Sequence, residues 1–102
     1  MTEAVAKPPR LPREEDPRNP NARLAALLDA GSLELISADD QSGMLAALGT
    51  VNGSRVVAFC SDATVMGGAM GVDGCEVVVQ AYRQAMVDRV PIVGIWHSGG
   101  AR

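Results

Sequence analysis

Near its carboxyl terminus the chain has residue types that suit the stabilisation of a negatively charged oxygen. Residues 98–101 read Ser-Gly-Gly-Ala and follow the apolar run of residues 92–96. Small residues after a buried strand leave backbone N–H groups accessible, and each such donor stabilises an enolate or a tetrahedral oxyanion by about 3–4 kcal/mol. An ordinary glycine turn between a strand and a helix fits the same residues, and their spacing alone favours the turn.

A second glycine-rich segment, Gly-Gly-Ala-Met-Gly, occupies residues 67–71. It lacks the Gly-x-Gly-x-x-Gly spacing of dinucleotide-binding loops, and no Lys-Ser or Lys-Thr pair of a phosphate-binding loop follows it. Two interpretations remain open. The segment is either a tight connection that allows close packing, or a loop that lets the carbonyl or thioester of a ligand approach the backbone.

Side-chain nucleophiles and metal ligands are weakly supported. Ser98 lacks the preceding glycine of a nucleophile elbow, because Trp96 occupies that position. The single histidine, His97, adjoins Ser98, and neighbouring residues on an extended strand point to opposite faces, which disfavours a catalytic triad. The spacing of Cys60 and Cys75 matches no standard metal site, so we predict no metal and expect both thiols to be buried apolar groups.

The elements around these segments predict a strand–helix–strand unit. Residues 55–60 and 92–96 read as strands, and residues 73–88 read as a helix capped by Asp73. We expect its buried face to hold Val78, Ala81, Tyr82 and Ala85. The two strands should be parallel with a right-handed crossover, and ligands of such α/β sheets bind at the carboxyl ends of strands, where both glycine segments begin.

The amino-terminal half predicts a helix, a short strand and a hairpin. Asn21 is expected to cap a helix that runs through Leu28 and stops before Gly31. Residues 33–36 alternate as in a small strand. Two longer strands, residues 44–51 and 55–60, flank Asn52-Gly53, the dipeptide that suits a type I′ turn because both of its residues take positive φ.

Composition limits the class of protein. Of 102 residues, the first twenty hold five of the six prolines, so we predict an extended arm over residues 1–20 and one domain over residues 21–102. The net charge of −3 and the three aromatic residues disfavour nucleic-acid binding. No apolar run reaches 18 residues, which argues against a membrane span, and two cysteines are typical of a reduced, cytoplasmic compartment.

Four segments together resemble one family. They are residues 21–32, the Gly-Thr-Val-Asn-Gly of residues 49–53, the stretch of residues 57–70 with its Thr-Val-Met-Gly-Gly, and Pro-Ile-Val-Gly-Ile-Trp-His-Ser-Gly-Gly-Ala-Arg at residues 91–102. The sequence resembles the amino-terminal part of the carboxyltransferase (beta) subunit of biotin-dependent acyl-CoA carboxylases, and its last segment is most similar to the actinobacterial acetyl- and propionyl-CoA carboxylases. The resemblance covers residues 20–102.

The resemblance implies a crotonase-like fold of ββα units, of which this chain is a partial N-terminal half. It implies transfer of a carboxyl group from carboxybiotin to acetyl-CoA or propionyl-CoA, giving malonyl-CoA or methylmalonyl-CoA for fatty-acid biosynthesis. The implied partners are the acyl-CoA, an alpha subunit that carries biotin, and further copies of the full-length subunit in a homo-oligomer.

By the same resemblance, the catalytic backbone amides belong to Gly99 and Gly100. The acyl-CoA pocket is implied to include Gly67, Gly68, Ser98 and Ala101, with Arg102 near the phosphates of CoA. Members of the family continue far beyond this point with a second half that binds biotin. We therefore expect this chain to fold poorly and to be inactive by itself.

Two other classes of function stay open. One is a non-catalytic, truncated crotonase-like module that binds CoA or docks on a full-length subunit. The other is a different crotonase-like enzyme, such as a hydratase or a decarboxylase.

Overall fold

A computed structural model of the chain describes residue 16 and residues 18–37, 42–62 and 71–96. Within these ranges the order of elements is α1 (Pro20–Leu27), β1 (Glu34–Leu35), β2 (Met44–Val51), β3 (Ser54–Ser61), α2 (Val72–Asp88) and β4 (Ile92–Ile95). The strands form one sheet in sequence order. The first three are antiparallel and β4 is parallel to β3, which confirms the predicted α/β class. Most of the predicted arm, residues 1–15 and 17, lies outside the described residues.

The β2–β3 hairpin is the longest pairing in the sheet. All eight residues of each strand are in register, from Met44 opposite Ser61 to Val51 opposite Ser54. At the turn Asn52 has φ 51° and Gly53 has φ 83°. Both values lie in the left-handed region that a type I′ turn requires, so the hairpin prediction is confirmed.

Helix α1 begins two residues earlier than the predicted cap allows. Asn19 is the N-cap, and its side-chain oxygen accepts a hydrogen bond of 2.8 Å from the backbone N–H of Asn21. The assignment of the cap to Asn21 was therefore wrong. Pro20 explains the shift, because its fixed φ and missing N–H suit the first helical position and leave the preceding residue to cap. The helix ends at Leu27, and Gly31 lies in the following turn with φ 77°.

Helix α2 differs from the prediction at its start and on its buried face. Its N-cap is Gly71 and not Asp73, which instead places a negative charge in the first turn, where the helix dipole favours it. The buried residues are Gly74, Val77, Ala81 and Ala85. Tyr82 is half exposed and Val78 only partly buried, so the expected face is rotated slightly.

Helix α2 ends at Asp88, as the sequence predicts. Arg89 adopts a left-handed conformation with φ 56°, and its N–H bonds back to the carbonyls of Ala85 and Met86. A left-handed residue after a helix satisfies free carbonyl groups of the last turn, a position more often filled by glycine.

Each face of the sheet carries one apolar layer. On one face α1 contributes Leu24 and Leu28, and on the other α2 contributes its buried stripe. Leu28 packs directly on Gly49 of β2, where an added Cβ would lie 2.7 Å from the Leu28 Cδ1 atom. Cys60 is buried in the α1 layer as expected, whereas Cys75 is exposed on α2, so the prediction of two buried thiols was wrong for the second.

Strand β4 is less enclosed than the sequence predicts. Its apolar run suggested a strand covered on both faces, yet Ile92, Val93 and Ile95 are only partly buried and Gly94 is exposed. The reason is its place in the sheet, since among the described strands β4 pairs with β3 alone and forms an edge.

Candidate functional site

The ends of two parallel strands define the edge of the sheet where the sequence places its candidate site. Cys60 of β3 pairs with Ile95 of β4, so the chain leaves both strands at the same edge. Because parallel neighbours need a crossover, α2 returns the chain in the opposite direction between them. This is the geometry in which α/β sheets bind ligands.

The predicted site residues themselves are not among the residues that the structure describes. This holds for all seven of them, which are Gly67, Gly68, Ser98, Gly99, Gly100, Ala101 and Arg102. The described elements bring the strands that precede both segments side by side. The roles of the seven residues stay predictions.

At the end of β3 the chain is held inside the fold. Ser61 and Asp62 are both buried, and the backbone N–H of Asp62 donates a hydrogen bond of 2.9 Å to the carbonyl oxygen of Gly43. This bond continues the β2–β3 ladder one step past the strand. The start of the first glycine-rich connection is thereby fixed by backbone pairing.

At the end of β4 an aromatic cluster holds the last described residue. The ring of Phe59 meets that of Trp96 edge to face, with centroids 5.2 Å apart and planes at 78°. The ring of Tyr82 on α2 also neighbours Phe59, with centroids 6.2 Å apart. We did not predict this cluster from the sequence. The available signal was Gly94, a glycine inside an apolar strand, which often marks a close approach by another group.

The thiol of Cys60 is not suited to chemistry. Burial raises the pKa of this thiol to about 11, an effect larger than the opposing one of the Arg23 charge. Its Sγ lies 3.3 Å from the carbonyl oxygen of Ser61, as a donor. A buried thiol with so high a pKa is a poor nucleophile at neutral pH, which supports a packing role.

The densest polar cluster lies at the opposite end of the hairpin. The Asp29 carboxylate accepts hydrogen bonds from the Thr50 hydroxyl at 2.6 Å and from the backbone N–H groups of Asn52 and Gly53 at 3.0 and 2.8 Å. These donors, the Thr50 hydroxyl first, hold the pKa of Asp29 below its usual range. Its position at the turn makes Asp29 a structural residue, remote from the carboxyl ends of β3 and β4.

The described ranges hold neither a side-chain cluster suited to a metal ion nor a helix suited to a membrane span. They contain no group of three His, Cys, Asp or Glu side chains placed to hold a metal ion. Neither of the two described helices has the length and hydropathy needed to cross a bilayer.

The fold and this sheet edge agree with a family match. The family described as "Carboxyl transferase domain" matches residues 24–102, and the chain belongs to this family. Among solved structures, transcarboxylase 12S superposes with a TM-score of 0.75 and 31% sequence identity, covering 80% of this chain and 19% of that one. The expected crotonase-like fold is therefore confirmed.

Curated relatives place the match more finely. The biotin-dependent acetyl-/propionyl-coenzyme A carboxylase beta6 subunit of Mycobacterium tuberculosis is 63% identical over 87 residues, which are 85% of this chain and 18% of the relative. The propionyl-CoA carboxylase beta chain of Rhodococcus erythropolis is 59% identical over the same shares. The chain thus spans about a fifth of the length of these relatives. The resemblance to carboxylase beta subunits is confirmed.

Proposed function

We propose that this chain forms part of a carboxyltransferase subunit that moves a carboxyl group from carboxybiotin to acetyl-CoA or propionyl-CoA, giving malonyl-CoA or methylmalonyl-CoA. The observation that carries this proposal is the 63% identity to an acetyl-/propionyl-CoA carboxylase beta subunit over 85% of the chain. The family match over residues 24–102 spans both glycine-rich segments of this chain.

The chemistry needs a stabilised enolate. Loss of a proton from the carbon next to the thioester moves negative charge onto the carbonyl oxygen, and we assign the backbone N–H groups of Gly99 and Gly100 to that oxygen. The parallel pairing of β3 and β4 supports this assignment, because the two strands that precede the glycine-rich segments end at the same edge of the sheet. Gly67, Gly68, Ser98 and Ala101 then line the acyl-CoA pocket, and Arg102 approaches the phosphates.

The transfer balances without a side-chain nucleophile. A carbon–carbon bond forms between the carboxyl carbon and the α-carbon while the bond from that carboxyl carbon to a ureido nitrogen of biotin breaks. The proton lost from the α-carbon ends on the same nitrogen. The protein's contribution is to orient the thioester and to hold charge on its oxygen, which suits a site made of backbone amides.

The proposed partners follow from the relatives' names. The Mycobacterium tuberculosis relative is described as biotin-dependent, so we propose an alpha subunit as the carrier of biotin. The transcarboxylase 12S structure is described as a hexamer assembly with methylmalonyl-coenzyme A bound, which supports a homo-oligomer and an acyl-CoA substrate. The proposed compartment is the cytoplasm, where acyl-CoA substrates and reduced thiols occur together.

A chimera tests the proposed function directly. Residues 20–102 of this chain replace the matching segment of the M. tuberculosis beta6 subunit, and the chimera is assembled with a biotin-carrying partner. We expect incorporation of labelled bicarbonate into malonyl-CoA or methylmalonyl-CoA. A folded, assembled chimera that transfers no carboxyl group to either acyl-CoA would overturn the proposal.

Matched variants of this chimera test the role of the amides. Gly100→Pro removes one N–H donor, and we expect kcat to fall by about 10²–10³-fold. Gly100→Ala keeps the donor and should retain most of the activity. Equal loss in both variants would show that the N–H group is not the functional feature of Gly100.

Exposed apolar residues on α2 favour a second function, docking onto another carboxyltransferase chain. Val72, Met86 and Val87 are each about three-quarters exposed. A pull-down of a full-length beta subunit by this chain, together with calorimetry against CoA, tests this non-catalytic alternative. If this chain captures the full-length subunit and the chimera described above is inactive, the two results together would favour docking over catalysis.

A further inference from the structure

Gly94 lies at the closest approach between β4 and the side chains of β3. It pairs with Phe59 in the parallel register. A Cβ atom at Gly94 would lie 2.5 Å from the Phe59 Cζ atom and about 3 Å from both Cε atoms. Real Cβ atoms do not approach ring carbons so closely, so the ring occupies the space that any other residue at position 94 needs.

The Phe59 ring has little freedom to move aside. It is 3% exposed and contacts the rings of both Tyr82 and Trp96. Interiors packed at this density resist displacement of a ring, because neighbouring side chains must shift with it. The ring therefore acts as a fixed surface against which the end of β4 rests.

The end of β4 contacts the Phe59 ring at two positions. The backbone of β4 lies against Phe59 at Gly94, and two residues later the Trp96 indole meets the same ring edge to face. Half of the Trp96 surface stays exposed, so this contact orients the indole without enclosing it. The pair of contacts holds Gly94 and Trp96, the last described residue, against one ring.

We propose that Phe59 and Trp96 are positioning residues, which through Gly94 set the direction in which the chain leaves β4. The proposal rests on the proposed function in assigning the next residues to the enolate oxygen. Hydrogen bonds to a developing charge depend steeply on donor position, so an error near 1 Å in that direction lowers kcat more than it raises KM.

Two substitutions of Trp96 in the chimera test the positioning role. Trp96→Ala removes the contact with Phe59, and because the side chain is half exposed the protein should still fold. We expect kcat to fall about tenfold with KM changed less than twofold. Trp96→Phe keeps an aromatic edge on the ring and should restore most of kcat. A Trp96→Ala variant with unchanged kcat overturns the proposal.

A second pair of variants tests the close approach at Gly94. Gly94→Ala should lower kcat because its methyl group meets the Phe59 ring. Combined with Phe59→Leu, which shortens the side chain, the same substitution should recover part of kcat. If the fold-loss of kcat in the double variant equals the product of the losses in the two single variants, the substitutions act independently. That result would contradict a shared cause in the contact between Gly94 and Phe59. Leu24→Val, in the core on the other face of the sheet, is the matched control and should lower the melting temperature but not kcat.

Amide hydrogen exchange keeps this proposal separate from the proposed function. In the assembled chimera, Trp96→Ala should speed exchange in the peptide that covers residues 97–102 at least threefold, and Trp96→Phe should not. An inactive wild-type chimera overturns the proposed function, while this exchange difference still decides the positioning role. Equal exchange in Trp96→Ala and wild type overturns the positioning role whatever the activity.

Discussion

Asp29 follows α1 and bonds both to strand β2 and to the β2–β3 turn. Its oxygens accept from the Thr50 hydroxyl and from both backbone N–H groups of the hairpin turn, and its own N–H donates to the Thr50 carbonyl at 2.7 Å. Ser32 completes the cluster, since its hydroxyl lies 2.7 Å from the Asp29 carbonyl and 3.1 Å from the Thr50 N–H. The connection after α1 is thereby tied to the β2–β3 turn.

Replacing Asp29 by asparagine should lower the urea midpoint of the chain at pH 7. An amide offers one acceptor oxygen where the carboxylate offers two, so at least one donor loses its partner. The folded-state pKa of Asp29 lies below the unfolded value near 4, so the stabilisation is present above about pH 4 and is lost as the pH falls through the folded-state pKa. Circular dichroism during urea titration, with an osmolyte to raise the baseline stability, measures the midpoint.

The control for this substitution is Glu76→Gln, which neutralises an exposed carboxylate on α2. Glu76→Gln should leave the urea midpoint nearly unchanged at pH 7 and at pH 3. A constant difference between wild type and Asp29→Asn from pH 7 down to pH 3 would contradict the role assigned to the ionised carboxylate.

The two cysteines should differ strongly in reactivity. The pKa of Cys60 is raised to about 11 by burial, so roughly one part in a thousand is thiolate at pH 8, whereas Cys75 is exposed. An aromatic disulfide reagent at pH 8 should modify one thiol per folded chain rapidly, and Cys75→Ser should abolish that fast phase. In urea both thiols should react. Two fast equivalents under native conditions would contradict the burial of Cys60.

At the level of elements, the β2–β3 hairpin is specified by its turn and held by its register. Asn52 and Gly53 both adopt positive φ, so the strands leave the turn with the twist that antiparallel pairing needs. The resulting register places Ala47, Ala58 and Cys60 under α1, and Ala46 and Phe59 under α2. Every side chain of both layers depends on that register, because a slip of one residue exchanges the two faces.

Substitution of Gly53 by alanine should destabilise this hairpin by about 1 kcal/mol, since a Cβ is disfavoured in the left-handed region. Nothing lies within 4 Å of the added Cβ, so the cost comes from the backbone conformation and not from a clash. Urea titration measures the change. Ser54→Ala, at the neighbouring exposed position, is the matched control and should change stability by less than about 0.5 kcal/mol.

At the level of the whole molecule, α2 carries an apolar stripe that the described residues leave uncovered. Val72, Cys75, Val79, Tyr82 and Met86 follow at spacings of three and four, the pattern of a helix face that packs against another helix. No described strand pairs with the outer edge of β4, so within the described part of the chain this edge and the stripe leave backbone groups and apolar surface in contact with water.

The chain by itself should therefore have low cooperativity and a tendency to associate. We expect a broad thermal transition, binding of a dye that reports apolar surface, and a mass that rises with concentration in analytical ultracentrifugation. Val79→Glu and Met86→Glu on the stripe should reduce the association. A sharp transition from a monodisperse monomer would contradict this expectation.

The sequence predicted correctly the features that a strong local signal specifies. It failed where a neighbouring residue or the packing of an element decides the outcome. The Asn52-Gly53 hairpin and the amphipathic α2 were readable because a turn dipeptide and a helical period are local signals. The cap of α1 was misplaced by two residues because Pro20 decides between neighbouring asparagines. Cys75 was misassigned because its burial depends on which helix face meets the sheet.

The sequence by itself determined the class of fold, the family and the order of strand, helix and strand, since these depend on patterns that lie within a few residues of one another. Only the tertiary structure decided that Phe59 fills the space over Gly94, that Asp29 binds a turn more than twenty residues away, and that β4 is an edge among the described strands. The first two are contacts between distant segments, and their energy exists only once the register of the sheet has brought those segments together.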